Sequence, residues 1–141
     1  MQFFFRYKEK DFETLSDALY AACDGLIYVS ETDSAVVPFA GDVAGEVTAE
    51  IVLQQTGKPL DTPVEELDLN TFFERLTRDR DWYGDVEKLR AKKFLELQSL
   101  LEEYLNDARV FRLGQIRIDI YVVGLDAGGR LTGVKTFAVE T

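Results

Sequence analysis

The side chains in this sequence that could carry chemistry are carboxylates. Within the polar stretches of residues 31–46, they are Glu31, Asp33, Asp42 and Glu46. Carboxylate oxygens bind Mg²⁺ or Mn²⁺ and can act as general bases, so one hypothesis is a metal hydrolase that uses carboxylates alone. The spacing does not support it, because GDVAGE at 41–46 lacks the alternating oxygen ligands of a calcium loop. We predict an ordinary turn at 41–45.

Other kinds of catalytic chemistry are excluded by composition. The chain has no histidine, which removes Ser-His-Asp and Cys-His catalysis and histidine metal ligands. Cys23 is the single cysteine and lies on an apolar helical face, which indicates an inert core thiol and, with no disulfide available, a cytoplasmic location. GGRLTG at 128–133 joins two predicted strands, so we predict a hairpin rather than a phosphate loop. We expect no cofactor.

The charge of the chain is strongly uneven. The formal net charge is −10, and residues 11–57 contain nine acidic residues and no lysine or arginine. Such a field repels nucleic acid and membrane surfaces, and it speeds encounter with a basic protein surface. Composition alone equally fits a solvated acidic face that keeps the protein dispersed. There is also no apolar run of membrane-spanning length.

Hydrophobic periodicity predicts one α+β domain over residues 1–141, with residues 1–10 as an extra N-terminal arm or edge strand. Helical spacing predicts helices at 12–23, 47–56, from Asn70 to about 76, and 86–106, the last two capped by Asn70 and Asp85. Alternation predicts strands at 26–29, 35–40, 109–113, 116–123 and 131–140. Helices dominate the first part of the chain and strands the last.

Three features could form a binding surface. Glu31 follows a short strand in a polar loop, and Glu140 and Thr141 lie at the end of the final strand. Trp82 lies in a polar loop, so it is either folded back onto the core or held out as a binding anchor. Spacing alone does not make any of these a site.

A basic group, formed by Arg109, Arg112 and Arg117, is predicted to pair with nearby carboxylates rather than with phosphate.

Several segments resemble the nuclease A inhibitor family. They are DGLIYVSET at 24–32, IVLQQTG at 51–57, FFER at 72–75, DWY at 81–83, VFRLG with IRIDIYVVG at 110–124, and LTGVKTFAVET at 131–141. The likeness extends from about Leu15 to Thr141, is interrupted at 35–46 and does not cover residues 2–10. Because these motifs occur in the family's order, chance is a poor explanation.

The resemblance implies a three-layer α/β/α sandwich around a mixed, largely antiparallel sheet, similar to plant pathogenesis-related proteins. It implies a protein without enzyme activity that inhibits a sugar-nonspecific DNA/RNA endonuclease of the ββα-metal kind. A loop glutamate and the C-terminal threonine then approach the partner's Mg²⁺, while this chain holds no metal of its own. By position, the nuclease-binding residues are Glu31, Arg80, Asp81, Trp82, Glu140 and Thr141.

One residue departs from the family pattern. Arg80 stands where the family has glutamine, and an added cation is unfavourable at the rim of a basic nuclease channel. Two hypotheses from different classes therefore follow. The first is a nuclease inhibitor that plugs the active site; the second is an acidic interaction module of the same fold with a different or lost target. Neither predicts direct binding to nucleic acid or membrane.

Overall fold

The structure is a computed structural model that describes residues 12–141. Its helices are α1 (Phe12–Cys23), α2 (Ala49–Gln55), α3 (Leu69–Thr77) and α4 (Asp85–Tyr104). Its strands are β1 (Ile27–Val29), β2 (Asp33–Ala35), β3 (Val37–Val43), β4 (Val64–Asp68), β5 (Asn106–Gly114), β6 (Arg117–Leu125) and β7 (Arg130–Val139). The predicted arm at 1–10 lies outside the described residues.

Five strands form one sheet in the order β3-β7-β6-β5-β4, and β1 pairs with β2 in a separate two-stranded sheet. Hairpins connect β5 to β6 and β6 to β7, and the second of these is the hairpin that the sequence predicted. The α+β class is confirmed. Every strand pair among residues 12–141 is antiparallel, so the mixed sheet that the resemblance implied is not found there.

The two faces of the sheet carry separate hydrophobic clusters. Along β6, Ile118, Ile120 and Val122 join the larger cluster, together with residues of α1, α3 and α4. Tyr121 and Val123, which point to the opposite face, join the smaller cluster with residues of α2. Alternation along one strand thus divides the core. The complete three-layer sandwich and the similarity to pathogenesis-related proteins stay predictions.

Helix α1 follows the predicted pattern. Leu15, Leu19 and Cys23 are buried on one face, and Gly25 adopts a left-handed conformation with φ of 70° just after the helix. Burial raises the pKa of the Cys23 thiol to about 11, so it stays protonated at neutral pH. None of the helices in the described part of the chain is both long and apolar enough to cross a membrane.

Both predicted helix caps are wrong by one or two positions. The Asp68 carboxylate, not Asn70, accepts the backbone N–H of Thr71 at 3.3 Å at the start of α3. Gly84 is the N-cap of α4, and the Glu87 carboxylate accepts its N–H at 2.8 Å. Asp85 is instead the first helical residue, where its negative charge favours the helix N-terminus.

Strands β4 and β3 differ from the prediction, each for its own physical reason. Strand β4 was missed because it is an edge strand in which only Leu67 is even partly buried, so it shows no apolar alternation. The turn predicted at 41–45 is wrong, because β3 continues to Val43 and the chain turns at Gly45, with φ of 81°. The Gln55 side chain donates to the Asp42 carbonyl and accepts the Asp42 N–H. These bonds pair the backbone polar groups of Asp42 where the register between β3 and β7 shifts.

Candidate functional site

Glu31 and Thr141, 110 positions apart in sequence, are directly bonded. The Thr141 backbone N–H donates to one Glu31 carboxylate oxygen at 2.6 Å, and the Thr141 hydroxyl donates to the other at 2.7 Å. Both residues are exposed. The contact therefore holds an acidic side chain in a fixed orientation at the surface.

A second set of bonds fixes the loop that carries Glu31. Strand β3 pairs with β7 only as far as Lys135, so the rest of that edge of β7 is not paired with β3. The loop between β1 and β2 lies along this part of the edge. The Ser30 hydroxyl accepts the Val139 N–H at 3.1 Å, and the Glu31 N–H donates to the Val139 carbonyl at 3.3 Å. The Thr136 hydroxyl donates to the Ser34 hydroxyl at 3.0 Å. The Glu31 backbone is therefore anchored to β7 independently of the bonds between the Glu31 side chain and Thr141.

The bonds from Thr141 alter the acidity of Glu31. They lower the pKa of its carboxyl group, the hydroxyl contributing most and the backbone N–H next, because both stabilise the charged form. A lowered pKa means that the contact is fully formed above the ordinary pKa of a glutamate and is lost as pH falls through the native value. Glu31 is therefore a fixed anion at neutral pH.

Replacing Thr141 with valine is expected to raise the pKa of Glu31 toward its ordinary value. Valine keeps the shape but removes the hydroxyl, which is the larger cause of the shift. Carboxyl-carbon NMR during a pH titration of the parent and the variant measures the change at Glu31. An unchanged Glu31 titration would show that the hydroxyl bond does not form in solution.

Glu140 is held by a buried arginine. Its carboxylate pairs with Arg112 at 2.7 Å, and Arg112 also pairs with Glu65 at 2.8 Å. The Arg112 residue is only 8% exposed, and the Glu140 N–H donates to the Ile116 carbonyl. The end of β7 is thus tied inward through Glu140 while Thr141 turns to Glu31.

The predicted pairing of the basic group is confirmed. Arg109 pairs with Glu66 and Asp107, and Arg117 pairs with Asp119. Sequence reasoning missed the network of Arg112 with Glu65 and Glu140, because Glu65 reaches Arg112 only through the register of the unpredicted strand β4. Arg112 lies between the apolar residues Phe111 and Leu113, both of which are buried. This pattern indicates that Arg112 is in a strand, but it does not indicate which carboxylates pair with it.

The loop before α4 and the Glu31 loop border the same cleft, which has a volume of about 410 Å³. Glu31 and Glu140 line it together with Arg80, Tyr83 and Arg75 of α3. A neighbouring cleft of about 390 Å³ shares Arg75 and Glu140. Three of the six residues predicted from the resemblance therefore border one cleft.

Trp82 is held out from the core. It is 73% exposed, and its ring contacts Tyr83 edge-on with centroids 4.6 Å apart. Asp81 beside it is also exposed and has no ion pair with any residue of 12–141. Of the two interpretations of Trp82, the structure supports the exposed one.

The carboxylates considered for a metal hydrolase do not form a metal site. Within residues 12–141 there is no group of three or more acidic, cysteine or histidine side chains placed to hold a metal ion. Glu31 instead binds Thr141, and the backbone of Asp42 lies in β3 beside Gln55. The arrangement presents one oriented carboxylate rather than a coordination shell.

Comparison with known proteins agrees with these features. The family profile described as nuclease A inhibitor-like protein, NuiA, matches residues 13–141. No individual curated protein is significantly similar to the chain. The matched region includes α2, the loop with Trp82 and the Glu31–Thr141 contact, and it spans nearly the whole sequence. The chain therefore belongs to the nuclease A inhibitor-like family.

Proposed function

We propose that this protein inhibits a sugar-nonspecific DNA/RNA endonuclease of the ββα-metal kind by inserting Glu31 and Thr141 into its active site. The single observation that carries the proposal is the double hydrogen bond between these two residues. It fixes a charged carboxylate at an exposed edge, before any partner arrives. The protein acts by binding and does not catalyse a reaction.

The chemistry of the target explains why a fixed carboxylate is useful. A metal nuclease holds a hard cation and basic side chains around the scissile phosphate. Carboxylate oxygens suit such a cation and can occupy the place of the phosphate. Because Thr141 already orients Glu31, less conformational freedom is lost on binding. The metal belongs to the partner, and Glu31 and Thr141 approach it from this chain.

The loop before α4 supplies the second part of the proposed interface. Trp82 is a large exposed anchor of the type enriched among interface hot spots, and Asp81 adds an unpaired charge next to it. Arg80 and Tyr83 join this loop to the Glu31 cleft. Glu140 contributes by holding the end of β7 through Arg112.

The acidic region favours a basic partner. All seven acidic residues within 14–57 are exposed, namely Asp17, Asp24, Glu31, Asp33, Asp42, Glu46 and Glu50. Such a surface speeds encounter with a basic nuclease channel, and salt screens the attraction. It also disfavours direct contact with nucleic acid or anionic membranes. We place the protein in the cytoplasm.

Arg80 supports a second candidate function, an acidic interaction module with another basic target. Its cation lines the Glu31 cleft, where a basic nuclease channel would meet it unfavourably. Affinity capture from the source cells separates the two functions. Recovery of a nuclease as the main partner supports inhibition, whereas a basic protein without nuclease activity supports the alternative.

Titration of a purified sugar-nonspecific endonuclease tests the proposal directly. Nuclease activity on DNA and on RNA should fall together and reach its minimum at one inhibitor chain per nuclease. Because encounter is electrostatic, higher salt should weaken inhibition. Full activity at a large excess of this protein, with nucleases of this kind, would contradict the proposal.

A further inference from the structure

A third cleft lies on the opposite side of the sheet from α1, α3 and α4. Helix α2 is short and covers only part of its face, where Val52 and Leu53 pack with Phe111 and Leu113. Beyond it, the start of β6 and the end of β7 border a cleft of about 390 Å³. Its lining shares no residue with the cleft at Glu31.

This cleft is positively charged in a strongly acidic protein. Lys58, Arg117 and Lys135 line it, and Asp119 is the only acidic residue among its lining residues. Asp119 is shared, because it pairs with Lys58 and also with Arg117. Lys135 is exposed and has no ion pair with any residue in the described range. The lining therefore has a formal charge of +2, within a chain of −10.

Two aromatic side chains, Phe137 and Tyr121, lie beside the charged residues of this cleft. The Arg117 guanidinium lies 4.0 Å from the centre of the Phe137 ring, a cation–π contact that orients it. Register places Phe137 opposite Asp119 and Lys135 opposite Tyr121, so the charges and rings share one face of two paired strands. Tyr121 also lines the cleft, so its hydroxyl adds a hydrogen-bond donor to the three cations.

We propose that this cleft binds a small phosphate dianion, either free or as a phosphomonoester. A phosphomonoester carries close to two negative charges at neutral pH, which matches the charge of the lining. Lysine and arginine are the side chains that bind phosphate through charge-assisted hydrogen bonds. The volume of the cleft is at the lower end of small-molecule sites, and Phe137 offers an apolar wall for an organic group.

Calorimetric titration of the full chain tests this site without a nuclease. The probes are inorganic phosphate, glucose 6-phosphate and citrate, at constant ionic strength. We expect saturable binding of a phosphate compound, one per chain, and weaker binding of citrate. Tighter binding of glucose 6-phosphate identifies the esterified form, and equal or tighter binding of inorganic phosphate identifies the free ion. Absence of binding by both, or preference for citrate, would overturn the proposal.

A matched pair of variants locates the binding. Lys135→Gln removes the unpaired cation of the cleft and should weaken phosphate binding about tenfold or more. Lys92→Gln removes another exposed positive charge, on α4, and should leave binding within about twofold of the parent. Equal effects of the two substitutions would mean diffuse attraction rather than a site. Amide NMR shifts confined to β6 and β7 would support the site independently.

Discussion

Replacing Glu31 with glutamine is expected to weaken nuclease inhibition about thirtyfold or more. The substitution removes the negative charge proposed to face the partner's metal. It also places an amide group against the two Thr141 donors, only one of which can still find an acceptor. The inhibition constant, measured at one fixed salt concentration for parent and variant, gives the effect.

Asp33→Asn is the matched control for this charge. Asp33 lies two residues away and is also exposed, and the Thr141 N–H and hydroxyl donate to Glu31 rather than to Asp33. Asp33→Asn removes one negative charge, as Glu31→Gln does, but leaves the Glu31–Thr141 contact intact. Inhibition should therefore change by about threefold or less. Similar losses in both variants would mean that Glu31 contributes only general charge.

Replacing Gly133 with alanine is expected to lower the free energy of unfolding by about 3 kcal/mol or more. Gly133 lies in β7, between β3 and β6 in the sheet. An alanine Cβ there would overlap the Val122 carbonyl oxygen and lie 2.9 Å from its carbonyl carbon. Since these are backbone atoms of a paired strand, they cannot move aside without loss of strand pairing. Urea unfolding measures the difference.

Gly128→Ala provides the comparison for this stability effect. Gly128 lies in the exposed β6–β7 turn, where the nearest atom to an added Cβ is an Asp126 oxygen at 3.5 Å. This is an ordinary contact, so stability should stay within about 0.5 kcal/mol of the parent. If Gly133→Ala were as stable as Gly128→Ala, the close approach of β6 and β7 would be wrong.

The parts of the fold with strong periodicity could be predicted from the sequence. Helix α1 and the hairpin of β6 and β7 appear within a few residues of their predicted bounds, because their apolar positions face a core. Strand β4 could not, because an edge strand with exposed charges has no alternation to detect. The end of β3 was missed because a distant side chain, Gln55, supplies its bonds.

The candidate site was less predictable than the fold. No local pattern connects Glu31 with Thr141, because their contact depends on the β1–β2 loop lying along β7. Only the family resemblance singled out both residues. The exposure of Trp82 was one of two alternatives, since a polar loop does not determine which way its single tryptophan points. The pairing of Arg112 required the missing strand.

Insertion of Glu31 and Thr141 into a nuclease is tested by comparing inhibition of a ββα-metal endonuclease by the parent chain, a variant lacking Thr141 and a variant extended by one residue after it. We expect equimolar inhibition by the parent and a loss of about tenfold or more in both variants, because each removes or displaces the donors that orient Glu31. Inhibition by both variants equal to that of the parent would contradict this insertion.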